Sequence, residues 1–335
     1  MRKLLVFLLL VLLLTIGVES LAAKKGFVIG LVCKTAGNPF FDAVNKGAQE
    51  AAKELGDTVI YQSPAASSVQ GQIDIINSMI AQKVNAICVS ANDPDALVPV
   101  CRKAQVRGIP VVTFDSAVKP AGRKLFVNQA DMEQIGRIQV QLLAKMINYE
   151  GEIAILSAAA TMANQNTWIQ WMKEELKKPE YSKMKLVAIV YGDDIREKSY
   201  NEAMGLFKSY PNLKGIIAPT TVGIAAAARA IEDAGLSGKV QLTGLGLPSE
   251  MAEYIKRGTC KAMALWNPID LGYATIYATH RLLAREIKGN VGEKVNLGKL
   301  GDRTIVDEGN GGKMIILGPP FVFDASNIDY WAKVY

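Results

Sequence analysis

The chain has 335 residues, of which 50% are hydrophobic and 21% are charged, a composition typical of a globular protein with room for two domains. Its net charge is +6, but basic and acidic residues are interspersed and aromatic residues amount to 7%, so we expect no nucleic-acid partner. A single histidine and four scattered cysteines provide no closely spaced ligand set and exclude the usual kind of zinc site. Because three of these cysteines lie in or beside apolar strand patterns, we expect buried free thiols.

Residues 1–23 have the pattern of a secretory signal peptide. Arg2 and Lys3 precede an apolar run from Leu4 to Ile16, and small residues follow up to Ala23. A run of this length is too short to span a membrane, and export signals have this order of positive, apolar and small residues. We therefore expect an exported, periplasmic protein. No cysteine lies near the expected cleavage point, so we expect no lipid anchor.

The first half of the mature chain alternates apolar strand patterns with helical patterns. Phe27 to Cys33 is an apolar run that predicts a buried strand, and Asn38 followed by Pro39 predicts the start of a helix. Further strands are predicted at Thr58 to Tyr61, Asn85 to Ser90 and Val111 to Phe114. Strands that alternate with helices through short turns predict a parallel sheet with helices on both faces.

The same alternation begins again at Gly151. Strands are predicted at Glu152 to Leu156, Lys185 to Val190, Gly215 to Ala218, Val240 to Thr243 and Cys260 to Trp266. Corresponding features of the two halves are separated by a nearly constant offset of roughly 126 to 130 residues, which indicates a duplicated unit. The predicted fold class is therefore α/β, with two similar doubly wound parallel-sheet lobes.

The last part of the chain is rich in glycine and short strand-like pieces, which predicts that it returns to complete both lobes. We assign residues 24–127 and 266–298 to an N-terminal lobe and residues 128–265 and 299–335 to a C-terminal lobe. The chain would then cross between the lobes near residues 127, 265 and 299. Several such crossings would form a multi-strand hinge.

Polar and aromatic residues follow the predicted strands at the edge where open parallel sheets bind ligands. The candidate ligand-binding residues that this position selects are Lys34, Asn38, Phe40, Phe41, Asn92, Asp115, Asn164, Gln165, Trp168, Thr220, Thr221 and Trp266. A small sugar needs planar donors and acceptors for its hydroxyls and aromatic faces for its C–H groups. The set therefore predicts a cleft for a neutral sugar, with no metal and no cofactor.

Several of these residues have simpler alternative roles. Asn38 and Asn164 are also well placed to cap helices, and Trp168 and Trp266 to fill the core. For the acid after the fourth strand, Asp115, the alternatives are capping or an ion pair with a nearby lysine. These alternatives stay open at the level of the sequence.

Support for catalysis is weak. His280 lies in a predicted helix, and Ser90 and Ser157 follow strands but lack the G-x-S-x-G elbow of serine hydrolases. We therefore predict a binding protein and not an enzyme. An exported carbohydrate-modifying enzyme is the alternative class.

The mature chain resembles the sugar-binding proteins of bacterial ABC importers, of the ribose and galactose type, which have the type I periplasmic binding protein fold. The resemblance rests on the export signal, the two lobes and the sequence N-P-F-F at the start of the first helix. Six runs are similar to the rhamnose-binding subgroup: Ser90 to Val98, Gly192 to Ser199, Ile217 to Gly223, Thr243 to Met251, Leu265 to Tyr273, and Asp324 to Asp329. The resemblance implies a monomer that closes on L-rhamnose and delivers it to the membrane permease of an ABC importer.

The resemblance also implies site residues that local patterns do not select. Gly246 stands in a loop where ribose-binding relatives have an aspartate, and Ser116 stands where they have an arginine, which argues against ribose. Asn267 opens the next predicted helix within one of the six runs and joins the candidate set.

A neighbouring subgroup of the family binds autoinducer-2. Autoinducer-2 is therefore the alternative ligand, together with other pentoses, hexoses or polyols. Its binding positions match Lys34, Asp115, Asn164 with Gln165, and Pro219 with Thr221. Asparagine in place of aspartate and threonine in place of alanine favour a sugar.

Overall fold

Two parallel sheets with helices against them form the fold in residues 26–335, which are the residues that the computed structural model describes. The signal peptide expected at residues 1–23 lies outside the described residues. The predicted α/β fold of two doubly wound lobes is confirmed.

The N-terminal lobe is built from alternating strands and helices. They are β1 (Val28–Val32), α1 (Pro39–Leu55), β2 (Thr58–Gln62), α2 (Val69–Ala81), β3 (Ala86–Val89), α3 (Val98–Val106), β4 (Val111–Phe114) and β5 (Leu125–Asn128). The five strands are parallel in the order β5-β4-β3-β1-β2. Helix α1 starts where the sequence predicts, because Oδ1 of Asn38 accepts a hydrogen bond from the backbone N–H of Phe40 at 3.0 Å.

The C-terminal lobe repeats this arrangement. It contains α4 (Met132–Met146), β6 (Glu150–Ser157), α5 (Ala163–Leu176), β7 (Lys183–Tyr191), α6 (Arg196–Ser209), β8 (Leu213–Ala218), α7 (Thr221–Asp233), β9 (Gln241–Gly244), α8 (Pro248–Lys256) and β10 (Ala262–Leu265). Four strands are parallel in the order β7-β6-β8-β9, and a bridge between Leu245 and Ala264 adds β10 beside β9.

The last part of the chain contributes to both lobes. It contains α9 (Pro268–Leu283), β11 (Lys294–Asn296), β12 (Asp302–Thr304), β13 (Val306–Asp307), β14 (Lys313–Ile316), β15 (Phe321–Asp324) and α10 (Ile328–Trp331). β14 pairs in parallel with β5 of the N-terminal lobe, whereas β15 pairs antiparallel with β10 of the C-terminal lobe.

One expected boundary therefore differs from the structure. Residues 299–316 were expected in the C-terminal lobe, but β14 continues the N-terminal sheet, and the chain crosses between Ile316 and Phe321 instead of near residue 299. The other crossings follow β5 and β10. The pairing of β14 with β5 depends on contacts far apart in the sequence, so local patterns do not reveal it.

Helices α1 and α9 pack with their backbones in direct contact. A Cβ atom on Gly47 would lie 1.8 Å from the carbonyl oxygen of Ile269, and one on Gly272 would lie 1.9 Å from that of Val44. Only glycine allows this approach. Both helices begin with an Asn-Pro pair at the edge of the cleft between the lobes, so their packing fixes the relative position of the two loops that precede them.

The four cysteines are free and buried, as the sequence predicts. Burial raises the pKa of Cys88, Cys101 and Cys260 to about 12, which makes these thiols unreactive at neutral pH. In residues 26–335 no helix combines the length and the hydrophobicity that crossing a membrane would require.

Candidate functional site

A cavity lies between the two lobes, at the carboxyl ends of the strands. Its lining from the N-terminal lobe consists of Lys34, Asn38, Phe40, Phe41 and Asp115. Its lining from the C-terminal lobe and the second crossing consists of Asn164, Gln165, Trp168, Asp194, Pro219, Thr220, Thr221, Leu245, Leu265 and Trp266. In this arrangement of the lobes the free space enclosed by these side chains is small, about 30 Å³.

A hydrogen-bonded group of charged and polar side chains connects the lobes across the cavity. Nζ of Lys34 lies 3.0 Å from Oδ2 of Asp115 and 3.4 Å from Oδ1 of Asn164. Nδ2 of Asn164 donates to Oδ1 of Asp115 at 3.1 Å, and Oγ of Ser90 donates to its Oδ2 at 2.6 Å. All four residues are buried, so their charges are matched within the protein. The simpler role of Asp115 as the partner of a lysine is thus present in the structure.

The carboxylate of Asp115 is aimed by its backbone. Its φ of 56° lies in the left-handed region, which aspartate tolerates better than most residues. The turn directly after β4 therefore brings the side chain to the strand end and into the cavity lining.

Asn92 is not part of the cavity lining, but it contacts residues that are next to the cavity. Its Nδ2 donates to the backbone carbonyl of Lys34 at 2.9 Å, and its backbone N–H donates to Oε1 of Gln72 at 2.9 Å. Oγ1 of Thr161 in the C-terminal lobe donates to its carbonyl at 3.3 Å. Asn92 therefore holds the loop of Lys34 in place and contributes to the contact between the lobes.

Aromatic rings also line the cavity. The ring of Trp266 lies 6.0 Å from that of Phe40 and 5.6 Å from that of Trp168, and Phe41 lies 5.2 Å from Phe40. Both phenylalanines line the cavity, a point on which the sequence is silent. Nε1 of Trp168 donates to Sδ of Met132 at 2.9 Å, so this indole is both a core residue and a wall of the cavity.

Two buried polar atoms of the lining have no hydrogen-bond partner among the described residues. They are Oε1 of Gln165, an acceptor, and Nε1 of Trp266, a donor. A buried polar group without a partner costs about 1–3 kcal/mol. A polar ligand that both accepts and donates hydrogen bonds would satisfy both atoms.

Sequence reasoning missed Asp194, which follows β7 and lines the cavity. Oγ1 of Thr220 donates a hydrogen bond to its Oδ1. Burial raises the pKa of Asp194, and the positive charge of Lys34 acts in the opposite direction. Asp193 and Asp194 follow the strand predicted at Lys185 to Val190, just as Asp115 follows the strand predicted at Val111 to Phe114. This position after a strand could have identified Asp194 as a candidate. Leu245 and Leu265 were missed because apolar residues at strand ends look like ordinary core.

Two more predicted residues lie outside the cavity lining. A Cβ atom on Gly246 would lie 2.4 Å from Sδ of Met263, so this position is packed against the core. Oδ1 of Asn267 accepts from the backbone N–H of Ile269 at 2.9 Å and is used to cap α9. Neither residue therefore contributes to the lining of the cavity. Across residues 26–335, no group of three or more histidine, cysteine, aspartate or glutamate side chains is arranged to hold a metal ion.

Two α/β lobes with a polar and aromatic cavity between them define the class of two-lobed solute-binding proteins. Residues 29–287 match the family described as the periplasmic binding protein domain, and the protein belongs to that family. The family resemblance and the type I fold stated from the sequence are confirmed.

Two solved structures and one relative matched by sequence are similar to this chain. An ABC transporter solute-binding protein from Clostridium phytofermentas with bound L-rhamnose is 41% identical, with a TM-score of 0.90 over 92% of this chain and 99% of that chain. LsrB from Clostridium saccharobutylicum in complex with AI-2 is 24% identical, with a TM-score of 0.86 over 91% and 99% of the two chains, and this likeness is one of fold. The D-allose-binding periplasmic protein of Escherichia coli K12 is 29% identical over 263 residues, which are 76% of this chain and 83% of that protein.

Proposed function

We propose that this protein is an exported solute-binding protein that captures a small neutral sugar, L-rhamnose, and delivers it to the permease of an ABC importer. The observation that carries the proposal is the cavity itself, which hydrogen-bonding side chains and aromatic rings line together between two lobes. The relative with bound L-rhamnose, at 41% identity over nearly the whole chain, supports the choice of sugar.

The charges of the cavity favour a neutral ligand. Lys34 is paired with Asp115, and a second carboxyl group, Asp194, lines the same space. An anionic ligand would bring its charge close to two acidic side chains, and a cationic one would meet the lysine. Sugar hydroxyls both donate and accept, so they can bind to these groups without adding charge.

The apolar part of the lining favours a deoxyhexose. L-Rhamnose carries a methyl group where L-mannose carries a hydroxymethyl group. Leu245, Leu265 and the ring of Trp266 provide an apolar surface for such a methyl group. The additional hydroxyl of L-mannose would lose its hydration against this apolar surface without gaining a hydrogen bond. We therefore expect the protein to bind L-rhamnose more tightly than L-mannose.

The three crossings between the lobes would act as a hinge in the transport cycle. Asn164 of the C-terminal lobe bonds to Lys34 and Asp115 of the N-terminal lobe, so the structure corresponds to a closed arrangement. A sugar that contacts both lobes would favour this arrangement over an open one. The permease would then bind the closed pair of lobes.

Calorimetric titration tests the proposal. The mature protein, beginning at Lys24, is titrated with L-rhamnose, L-mannose, D-ribose, other pentoses and autoinducer-2. We expect L-rhamnose to bind most tightly, and L-mannose more weakly by about tenfold or more. Absence of binding heat with every sugar would contradict the proposal, and tightest binding of autoinducer-2 would select the alternative ligand.

Three further measurements test the remaining parts of the proposal. Mass spectrometry of small molecules that co-purify with the protein identifies the natural ligand without a choice of candidates. Incubation with L-rhamnose followed by analysis of the sugar distinguishes binding from turnover, and we expect the sugar to be recovered unchanged. N-terminal sequencing of protein from the cell envelope tests export, with a start at Lys24 as the expected result.

A further inference from the structure

Asp194 is a cavity residue that neither the sequence patterns nor the family resemblance selected. We propose that its carboxylate binds a hydroxyl group of the sugar from the C-terminal lobe, opposite the Lys34 and Asp115 pair of the N-terminal lobe. This inference rests on the proposed function and deepens it, because it makes the fit of the C-terminal lobe depend on one particular hydroxyl.

The hydrogen bonds of the two cavity carboxylates differ. Both oxygens of Asp115 accept bonds, from Asn164, Ser90 and Lys34. Oδ1 of Asp194 accepts from Thr220, but its Oδ2 accepts no hydrogen bond from any described residue. The carboxylate of Asp194 therefore has acceptor capacity left for a ligand, and Asp115 has less.

The backbone after β7 separates two adjacent acids. Asp193 and Asp194 have φ angles of 53° and 54°, two successive residues in the left-handed region. The backbone N–H groups of Gly192 and Asp193 donate to the carbonyls of Ser157 and Ala158 at 2.9 and 3.1 Å, which fixes the turn to the end of β6.

The two side chains of this turn have different surroundings. Asp193 forms an ion pair with Lys198, whose side chain is exposed. Asp194 lines the cavity. The strained turn is thus a device that directs one of two neighbouring carboxylates to the cavity.

Nearby charges of both signs act on the carboxyl group of Asp194. Burial raises the pKa of Asp194, Lys34 lowers it, and the negative charges of Asp115 and Asp193 raise it. Asp194 is partly buried, so its free Oδ2 keeps some contact with water, and a sugar hydroxyl would replace that water with a direct hydrogen bond to the carboxylate. Closure of the lobes is therefore easier with the sugar than without it.

The test uses Asp194→Asn, with Asp193→Asn as the matched control. Asparagine keeps the shape of aspartate and tolerates the left-handed conformation, so both variants keep the turn. Calorimetry measures the affinity of each variant and of the unaltered protein for L-rhamnose and its monodeoxy analogues. We expect Asp194→Asn to weaken L-rhamnose binding by about tenfold or more, and Asp193→Asn to change it by less than about twofold.

The monodeoxy analogues distinguish a contact from a structural role. The unaltered protein should bind one analogue, which lacks the hydroxyl that Asp194 binds, at least about tenfold more weakly than L-rhamnose. Asp194→Asn should lose that particular discrimination and keep the others. A purely structural defect would instead weaken all the sugars alike and lower the melting temperature.

Two results would overturn the inference. One is an Asp194→Asn variant that binds L-rhamnose like the unaltered protein, and the other is a variant that keeps the full discrimination against every analogue. Failure of the unaltered protein to bind any sugar is a different result, which contradicts the proposed function itself.

Discussion

The ammonium group of Lys34 lies 3.0 Å from Oδ2 of Asp115, and the two residues are 2% and 4% exposed. Each charge is the principal partner of the other in a cavity that is closed by both lobes. Separation of the lobes would expose the pair to water, which hydrates an unpaired charge at little cost. The penalty for removing one partner therefore falls mainly on the closed form and hence on ligand affinity.

The first prediction concerns this ion pair. Lys34→Met should weaken L-rhamnose binding by about 100-fold, because it leaves Asp115 charged and short of a donor in the closed cavity. The control is Lys119→Met, since Lys119 and Asp95 form an exposed pair of 3.8 Å away from the cavity lining. Calorimetry should show an unchanged affinity for the control, and circular dichroism should show both variants folded. Unchanged affinity of Lys34→Met would mean that the ligand binds elsewhere.

The second prediction concerns the contact of Asn164 with Asp115. Asn164→Asp replaces a donor that lies 3.1 Å from Oδ1 of Asp115 with a second carboxylate. Repulsion between the two should oppose closure and weaken L-rhamnose binding by about tenfold or more. Asn166→Asp is the control, because the amide of Asn166 is exposed and bonds to the carbonyl of Ala160. Equal affinities of the two variants would contradict the assigned role of Asn164.

Much of the site could be predicted from local patterns because its residues come directly after apolar runs. Lys34 and Asp115 each end a run that reads as a buried strand, and the carboxyl ends of parallel strands share one edge. Asp194 belongs to an acidic pair, and only the two left-handed φ angles decide which member lines the cavity. A sequence pattern contains no information on that choice.

The remaining differences come from contacts between distant parts of the chain. Asn92 has the right position at a strand end, but its amide is used by the backbone of Lys34. β14 lies in the glycine-rich last part of the chain, and its partner β5 is separated from it by the whole C-terminal lobe. Register and partner choice over such separations depend on tertiary packing, which local propensity does not encode.

The third prediction compares the two tryptophans of the cavity. Nε1 of Trp266 has no partner among the described residues, whereas Nε1 of Trp168 donates to Sδ of Met132. Trp266→Phe should therefore weaken L-rhamnose binding by about five- to tenfold, with a small change in melting temperature, because it removes a donor that the ligand would use. Trp168→Phe removes a hydrogen bond within the protein and should lower the melting temperature more. A larger loss of affinity from Trp168→Phe than from Trp266→Phe would contradict this assignment.

The fourth prediction concerns the stability of the C-terminal lobe at low pH. Burial by itself raises the pKa of Glu175 on α5, but hydrogen bonds from Lys178, Gln141, Arg137 and Tyr181 outweigh burial and lower the pKa to about 2. This carboxylate therefore binds its proton less readily in the folded state than in the unfolded state. Its contribution to the free energy of unfolding is present above about pH 4.5 and is lost as the pH falls towards 2. The loss amounts to about 3 kcal/mol at most.

Urea unfolding of the ligand-free protein between about pH 5 and 2.5 measures this contribution. We expect the free energy of unfolding to fall less steeply with decreasing pH in Glu175→Gln than in the unaltered protein, because the variant no longer has the group that takes up a proton on unfolding. The matched control is Glu174→Gln, the adjacent residue, whose side chain is 41% exposed and pairs with Lys177. It should keep the steep dependence of the unaltered protein. If both variants followed the same pH dependence, the network around Glu175 could not be the source of acid sensitivity.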